Sequence, residues 1–212
     1  RNFYINRNFV DPANPQGKAE EWTQSFILDA KSGVTQGTVG FGVDVLGLYS
    51  VKLDGGRGTA NTQLLPVHDD GRAADEFASA GVTAKAKLAN TVVKHGTLLP
   101  KTPVLVHNDA RLLPQTYQGT QLVSTDIDGL TLTAGQLDRF KQRDSSDSTG
   151  LYVDGYRGDE TGDFRYAGAD YAASKTLRLS YFHGELENFY RQDFAGIQHD
   201  LKLGGGVLTS DL

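Results

Sequence analysis

Thr38-Val39-Gly40-Phe41-Gly42-Val43-Asp44-Val45 places Val39, Phe41, Val43 and Val45 on one face of an extended chain and Gly40, Gly42 and Asp44 on the other. Successive side chains of a strand point to opposite faces, so this spacing predicts a strand with one apolar side. The pattern recurs in both directions. Trp22, Phe26, Leu28 and Ala30 oppose Thr23, Ser25, Ile27 and Asp29, and Val82, Ala84, Ala86 and Leu88 alternate with Thr83, Lys85 and Lys87. Further on, Leu130, Leu132 and Ala134, then Leu177, Leu179 and Tyr181, then Ala195, Ile197 and Leu201 repeat it. No helical stripe of comparable length competes. The reading predicts about ten or eleven strands, the last an incomplete one near Val207–Leu212.

The predicted connections alternate in length. Short turn signals lie at Ser32-Gly33, Asn90-Thr91, Asp128-Gly129 and Ser174-Lys175, and long polar loops at Asp11–Lys18, Leu53–Ser79, Leu99–Gly119 and Asp138–Asp163. Asp128-Gly129 between alternating apolar runs is the strongest hairpin signal of the set. Tight turns on one side and long loops on the other are the habit of a transmembrane β-barrel. The prolines, at positions 12, 15, 66, 100, 103 and 114, mark loops and leave the strand-like runs clean.

Composition narrows the function classes. The 212 residues include no Cys, which excludes disulfides and Cys-based sites, and no Met, and the chain begins at Arg1, the expectation being a processed or excised segment. Net charge is −5, against a general nucleic-acid binder. The 25 glycines exceed the usual share of roughly 7% and disfavour a helical protein. Mean hydropathy is −0.39, and no apolar run is long enough for a membrane helix. Low hydropathy does not separate a soluble protein from a membrane barrel, whose strands are apolar on one face only.

Which medium the apolar faces meet decides between the two. Several of those positions are Ala, and Tyr4, Trp22, Tyr49 and Tyr171 sit near strand ends, where amphipathic rings suit a membrane interface. The opposite faces carry Asp29, Asp44, Lys85, Lys87, Lys94, Asp170 and Arg178. In a closed barrel these face a watery lumen, whereas an Arg or Lys facing lipid at mid-depth costs about 2–4 kcal/mol. The same logic turns Arg1, Phe3, Ile5 and Arg7 inward and Tyr4 outward. A soluble β-rich binding module for polar ligands, such as carbohydrates, is the alternative.

The segment Asp109-Ala-Arg-Leu-Leu-Pro-Gln-Thr-Tyr-Gln-Gly119, with the stretch from Gly96 that precedes it, resembles the inward-folded third loop of the OprD-type outer-membrane porins, the substrate-specific carboxylate channels. Arg1-Asn-Phe-Tyr-Ile-Asn-Arg7, Lys18-Ala-Glu-Glu-Trp-Thr-Gln-Ser-Phe-Ile-Leu-Asp29, Gly37-Thr-Val-Gly-Phe-Gly-Val-Asp-Val-Leu-Gly-Leu48, Asp70-Gly-Arg72, Asp128-Gly-Leu-Thr-Leu-Thr-Ala-Gly135 and Gln142-Arg-Asp-Ser-Ser-Asp147 agree with it. The resemblance covers the chain and implies an all-β fold, a transmembrane antiparallel up-and-down barrel of eighteen strands in mostly monomeric family members. Residues 1–212 would then be the N-terminal portion of one barrel domain, with a constriction loop at about 99–119. It further implies a bacterial outer-membrane location in a lipid bilayer containing lipopolysaccharide, and passive uptake of small carboxylates, aromatic ones by the branch it looks closest to.

By the same resemblance Asp109 and Arg111 lie at the constriction, Asp109 accepting from wall arginines and Arg111 contacting the substrate carboxylate. Arg1 and Arg7 match wall positions beside them, Arg143 matches a further family position, and Tyr117 lines the loop. Lys85, Lys94 and Arg178 are inward by parity and are candidates for a basic ladder. His107 and Asn108, which precede Asp109, are counted with the same constriction and substrate pathway, and no second His stands at ligand spacing for a metal. Neither a nucleophile-elbow pattern nor a phosphate-binding Gly-rich loop occurs. Glu20-Glu21 and Glu185-Leu-Glu187 are isolated carboxylate pairs of the kind a glycosidase uses. The expectation is a protein without enzymatic activity, cofactor, metal or nucleic-acid partner.

Overall fold

The computed structural model describes residues 1–11, 13, 16–155 and 161–212. The predicted loops at Asp11–Lys18 and Asp138–Asp163, and the prolines at 12 and 15, fall partly outside the described residues. Eleven strands pair antiparallel in chain order. They are β1 (Asn2–Asn8), β2 (Lys18–Lys31), β3 (Val39–Gly55), β4 (Glu76–Leu88), β5 (Thr91–Leu98), β8 (Thr116–Ile127), β9 (Leu130–Lys141), β11 (Phe164–Ala172), β12 (Leu177–Leu186), β13 (Tyr190–Leu203) and β14 (Gly206–Asp211). The short β10 (Ser148–Gly150) adds to β9, and β6 (Lys101–Thr102) with β7 (Leu105–Val106) forms a separate hairpin. β1 and β14 stand at the two ends of the order.

Polarity across this sheet is inverted relative to a soluble sandwich. Phe26, Leu28 and Phe41 are 60%, 62% and 61% exposed, while Thr23, Ser25 and Ser50, on the opposite face, are fully buried. Val39, Val43, Val45, Val82, Leu88, Leu179 and Ile197 belong with the exposed apolar set. An exposed apolar surface of this extent needs a nonpolar medium or a partner. A soluble module is therefore not favoured.

The inner face is filled by the chain's own long connections, in three clusters. Leu64 and Leu112 pack on Ile5, with Phe3 beside them. Leu65, Ala60, Ala73 and Leu113 pack on Leu46, Leu48 and Phe77. Val104 joins Leu98, Tyr117, Leu137, Phe140, Phe164 and Phe182. The connection 99–115 thus reaches β1 through Leu112, and β13 through Val104, whose carbonyl accepts from Gln192 Nε2. In a flat sheet β1 and β13 would stand about 43 Å apart at roughly 4.8 Å per strand. A loop of this length touches both because the sheet curls around it.

The predicted hairpin at Asp128-Gly129 is present, Gly129 having φ 73°, and the one at residues 90–91 lies one residue earlier, at Ala89-Asn90. The tight turn expected at Ser32-Gly33 is instead a longer connection, 32–38, folded back over the inner face of β3. Thr35 N donates to Phe41 O at 2.9 Å and Val43 N to Ser32 Oγ at 2.8 Å. Glycine makes the room: a Cβ on Gly40 would lie 2.6 Å from Thr35 O, and one on Gly42 would lie 2.4 Å from Gly33 O. Long and short connections alternate as far as β12. The three-residue turn 187–189 on the long-loop side then breaks the alternation.

Gly42→Val is therefore expected to destabilise the full-length protein in lipid vesicles by about 1–3 kcal/mol, the usual range for overpacking. Gly33→Ala, whose added methyl meets nothing within 4 Å, should leave the denaturant midpoint nearly unchanged. Equal midpoints for the two variants would refute the crowding argument.

Candidate constriction site

The site is built on the 99–115 connection. His107 donates from both its backbone N and Nδ1 to Pro100 O at 2.9 Å, so it is a buried clamp across the β6–β7 hairpin. Gln115 N donates to Asn108 O at 2.8 Å and Ala110 N to Asn108 Oδ1 at 3.1 Å, closing a small loop with Asp109, Ala110 and Arg111 at its tip. Leu112 and Leu113, both essentially unexposed, fasten that tip to two different parts of the wall.

Asp109 faces Arg1. Arg1 Nη2 donates to Asp109 Oδ2 at 2.9 Å and Nη1 donates to Oδ1, a two-point pairing, while Nη1 also reaches Leu112 O at 3.3 Å. The Arg1 hydrogen bond holds the Asp109 carboxyl below its ordinary value of 3.8. Arg111 is not in this pair. Its guanidinium lies 5.9 Å from the centre of the Phe3 ring, a cation–π distance, and its Nε is buried with no hydrogen-bond partner. Arg143, on the connection after β9, is 7% exposed. Burial first, and then the charge of Arg111, push its pKa down. Neither Arg111 nor Arg143 has a carboxylate within ion-pair distance among the described residues. The arrangement is two neighbouring cations with donors to spare, beside an acid already engaged.

The other sequence candidates separate. Arg7 lies at the loop end of β1, exposed, opposite Ala19. Tyr117 is buried at the root of the loop, its ring 6.3 Å from Phe140 and its hydroxyl donating to Gln115 Oε1 at 3.2 Å, so it supports the loop from behind. Lys85 is on the inner face but pairs with Asp44, both side chains nearly buried, so its charge is compensated. Lys94 lines a cavity of about 150 Å³ with Asp29, Asp44 and Gln121 and makes no ion pair among the described residues. Arg178 lies near the short-turn end, beside Gln198. Glu20 and Glu21 face opposite sides, Glu20 binding Lys18 and Tyr4 outside and Glu21 buried on Thr62 and Thr23 inside. That removes them as a carboxylate pair. Glu185 and Glu187 are engaged by Arg191 and Arg165.

Sequence reasoning missed three features. The connection 56–75 also folds inward on its buried anchors Leu64 and Leu65, and no local signal in the sequence marks it. Lys52 lies under the same connection, donating to Ala73 O at 2.7 Å and pairing with Asp75. Lys141 reaches from β9 to Ser79 Oγ at 3.1 Å. No metal-ligating group of three or more His, Cys, Asp or Glu occurs among the described residues.

The sequence matches, over residues 1–212, the family model described as outer membrane porin, OprD family. It is 46% identical to the porin-like protein GalP of Pseudomonas putida over the whole chain and 52% of that protein. The fold superposes on a BenF-like porin from Pseudomonas fluorescens with TM-score 0.91 and 50% identity, covering 99% of this chain and 54% of the other. It also superposes on the OpdK porin of Pseudomonas aeruginosa solved with vanillate, TM-score 0.87, 40% identity, with 99% and 53% coverage. The chain spans about half the length of the relatives it matches. These relatives are β-barrel porins of the outer membrane and not enzymes.

Asp109→Asn, made in the full-length protein, removes one negative charge and frees Arg1. Reversal potentials in a salt gradient are expected to show higher anion selectivity than wild type. Because the folded pKa of Asp109 is depressed, the Arg1 contact is fully present above 3.8 and is lost only as pH falls through the lower folded value. The difference between variant and wild type should therefore persist down to about pH 4. A difference that fades between about pH 6 and pH 4 would show that Arg1 does not hold this carboxylate ionised.

Proposed function

The chain belongs to the OprD family of outer membrane porins, and we propose that in the whole protein it forms part of the wall and the constriction of a passive channel for small carboxylates, aromatic ones among them. In this reading residues 1–212 are one portion of a single barrel domain, and further strands complete the wall. The observation that carries the reading is the neighbouring pair of half-buried Arg111 and buried Arg143, with no carboxylate within ion-pair distance among the described residues, while Asp109 is engaged by Arg1. A guanidinium offers a planar fork that matches both oxygens of a carboxylate. In a narrow passage with low-dielectric walls that attraction exceeds its value in bulk water.

A channel must also release what it binds, and several weak sites in series do this better than one strong one. Arg7 at the loop end, the Arg111–Arg143 pair, Lys94 on the inner face and Arg178 toward the short turns form such a series. Lys85 contributes less, because Asp44 neutralises it. The vanillate complex of the OpdK relative supports the aromatic class, since vanillate joins a ring to a carboxylate. Phe3, under Arg111, offers that ring an apolar face.

The test is single-channel recording of the full-length protein in planar bilayers with vanillate added. Arg111→Gln and Arg143→Gln are each expected to weaken vanillate block about tenfold or more, the scale of a lost charge-assisted contact. Unchanged block in both variants would remove the pair from the pathway.

A further inference from the structure

A peptide group is planar and trans, so the N–H of each residue points opposite to the carbonyl before it. In the connection 32–38, three carbonyls turn toward the wall. Ser32 O accepts from Lys85 Nζ at 2.5 Å, while Gly33 O and Thr35 O occupy the places where Gly42 and Gly40 would carry a Cβ. The N–H groups of Gly33, Val34 and Gln36 therefore point away from the wall, into the lumen. None of the three has an acceptor among the described residues, and residues 32–38 are all exposed.

These donors are fixed in place before any ligand arrives. Thr35 N donates to Phe41 O at 2.9 Å, and Phe41 N donates to Thr35 Oγ1 at 2.9 Å. Ser32 N donates to Val43 O at 3.3 Å, and Val43 N to Ser32 Oγ at 2.8 Å. The charges around them are balanced or positive. Asp29 pairs with Lys31, and Asp44 with Lys85. On the same inner face Lys87 stands opposite Gly40, and Lys94 opposite Lys85. Neither Lys87 nor Lys94 has a carboxylate within ion-pair distance among the described residues. Lys85 crosses the bare α-carbon of Gly42 to reach both Asp44 and Ser32 O, so it orients the fold-back and is a positioning residue.

We infer that the N–H groups of Gly33, Val34 and Gln36, with Lys87 and Lys94 on the wall beside them, form a main-chain anion site at the short-turn mouth, where a carboxylate pauses before it leaves the pore. The inference rests on the channel reading and adds to it a station built of backbone. Successive main-chain N–H groups attract an anion through partial charges. Water competes for them in an open lumen, so the hold is weak, as the last of several sites in series must be.

The test is the reversal potential of the full-length protein in planar bilayers, under gradients of potassium chloride and of potassium benzoate. Val34→Pro and Gln36→Pro each delete one lumenal N–H, whereas Val34→Ala and Gln36→Ala keep it. Each Pro variant should show an anion-to-cation permeability ratio about twofold or more below that of its Ala counterpart, in both salts. Equal ratios within each pair would overturn the site, and a lowered ratio in chloride alone would overturn its assignment to carboxylates. If the Pro variants do not fold, wild-type crystals soaked in sodium bromide decide. Anomalous scattering at the Val34 or Gln36 N–H is expected, and its absence overturns the site. Neither measurement involves Arg111 or Arg143, so unchanged vanillate block in their variants would defeat the constriction reading and leave this result standing.

Discussion

Strands that turn their apolar side chains outward forgo the shared core that holds an ordinary sheet together, and the space they enclose has to be filled by something else. Here the filling is the chain's own connection 99–115, fastened at Val104, Leu112 and Leu113 to three separate parts of the inner wall. The three anchors lie within ten residues yet engage β1, the β3–β4 pair and the β9–β12 group. The curvature of the sheet and the position of the loop therefore specify each other. Emptying a buried Leu site costs about 2–5 kcal/mol in general, and here it would also release the tip that carries Asp109 and Arg111. The apolar residues of the loop are thus what aim its charged ones.

Charge inside the wall is handled in two contrasting ways. Lys85 and Asp44 are both nearly buried, and each is the other's partner. Arg143 and the Nε of Arg111 are also withdrawn from solvent, but each of these residues stands beside another cation with no carboxylate within ion-pair distance among the described residues. A buried charge without a partner is costly, and a protein that needed only a stable interior would have paired or replaced these two. Buried cations without an ion-pair partner concentrate where a ligand supplies the missing partner. Asp109 sharpens the point, because the one carboxylate at the tip is held by Arg1 and is unavailable to neutralise them.

Much of the wall was legible in the sequence because it obeys a strict period. Val39, Phe41, Val43 and Val45 face outward as the alternation predicts, and the eleven paired strands agree with the number of alternating runs. The loop tip was legible through the resemblance carried by Asp109 to Gly119. What periodicity could not reveal were contacts between elements distant in sequence. Nothing local in residues 56–75 distinguishes an inward loop from an outward one, since Leu64 and Leu65 are buried only because Ile5, Leu46 and Phe77 stand opposite. Parity likewise placed Lys85 inside, but its neutralisation depends on Asp44 of the adjacent strand, and the burial of Arg143 depends on packing that its polar neighbours in sequence conceal.

Parity itself has a limited domain, and its limits coincide with the chemistry. Within the apolar band a slip of one residue would exchange every lipid-facing side chain for a lumenal one, so pairing there is regular. Two of the register shifts, at Trp22/Thr23 and at Gln118/Gly119, fall toward the long-loop ends of their strands. Beyond the second shift β9 turns Phe140 into the inner cluster and sends Lys141 toward Ser79. A bulge leaves one residue unpaired and re-aims those that follow, which is tolerable only where the outer face no longer meets lipid. The strand segments that support the 99–115 loop are therefore those released from the membrane's demand for alternation.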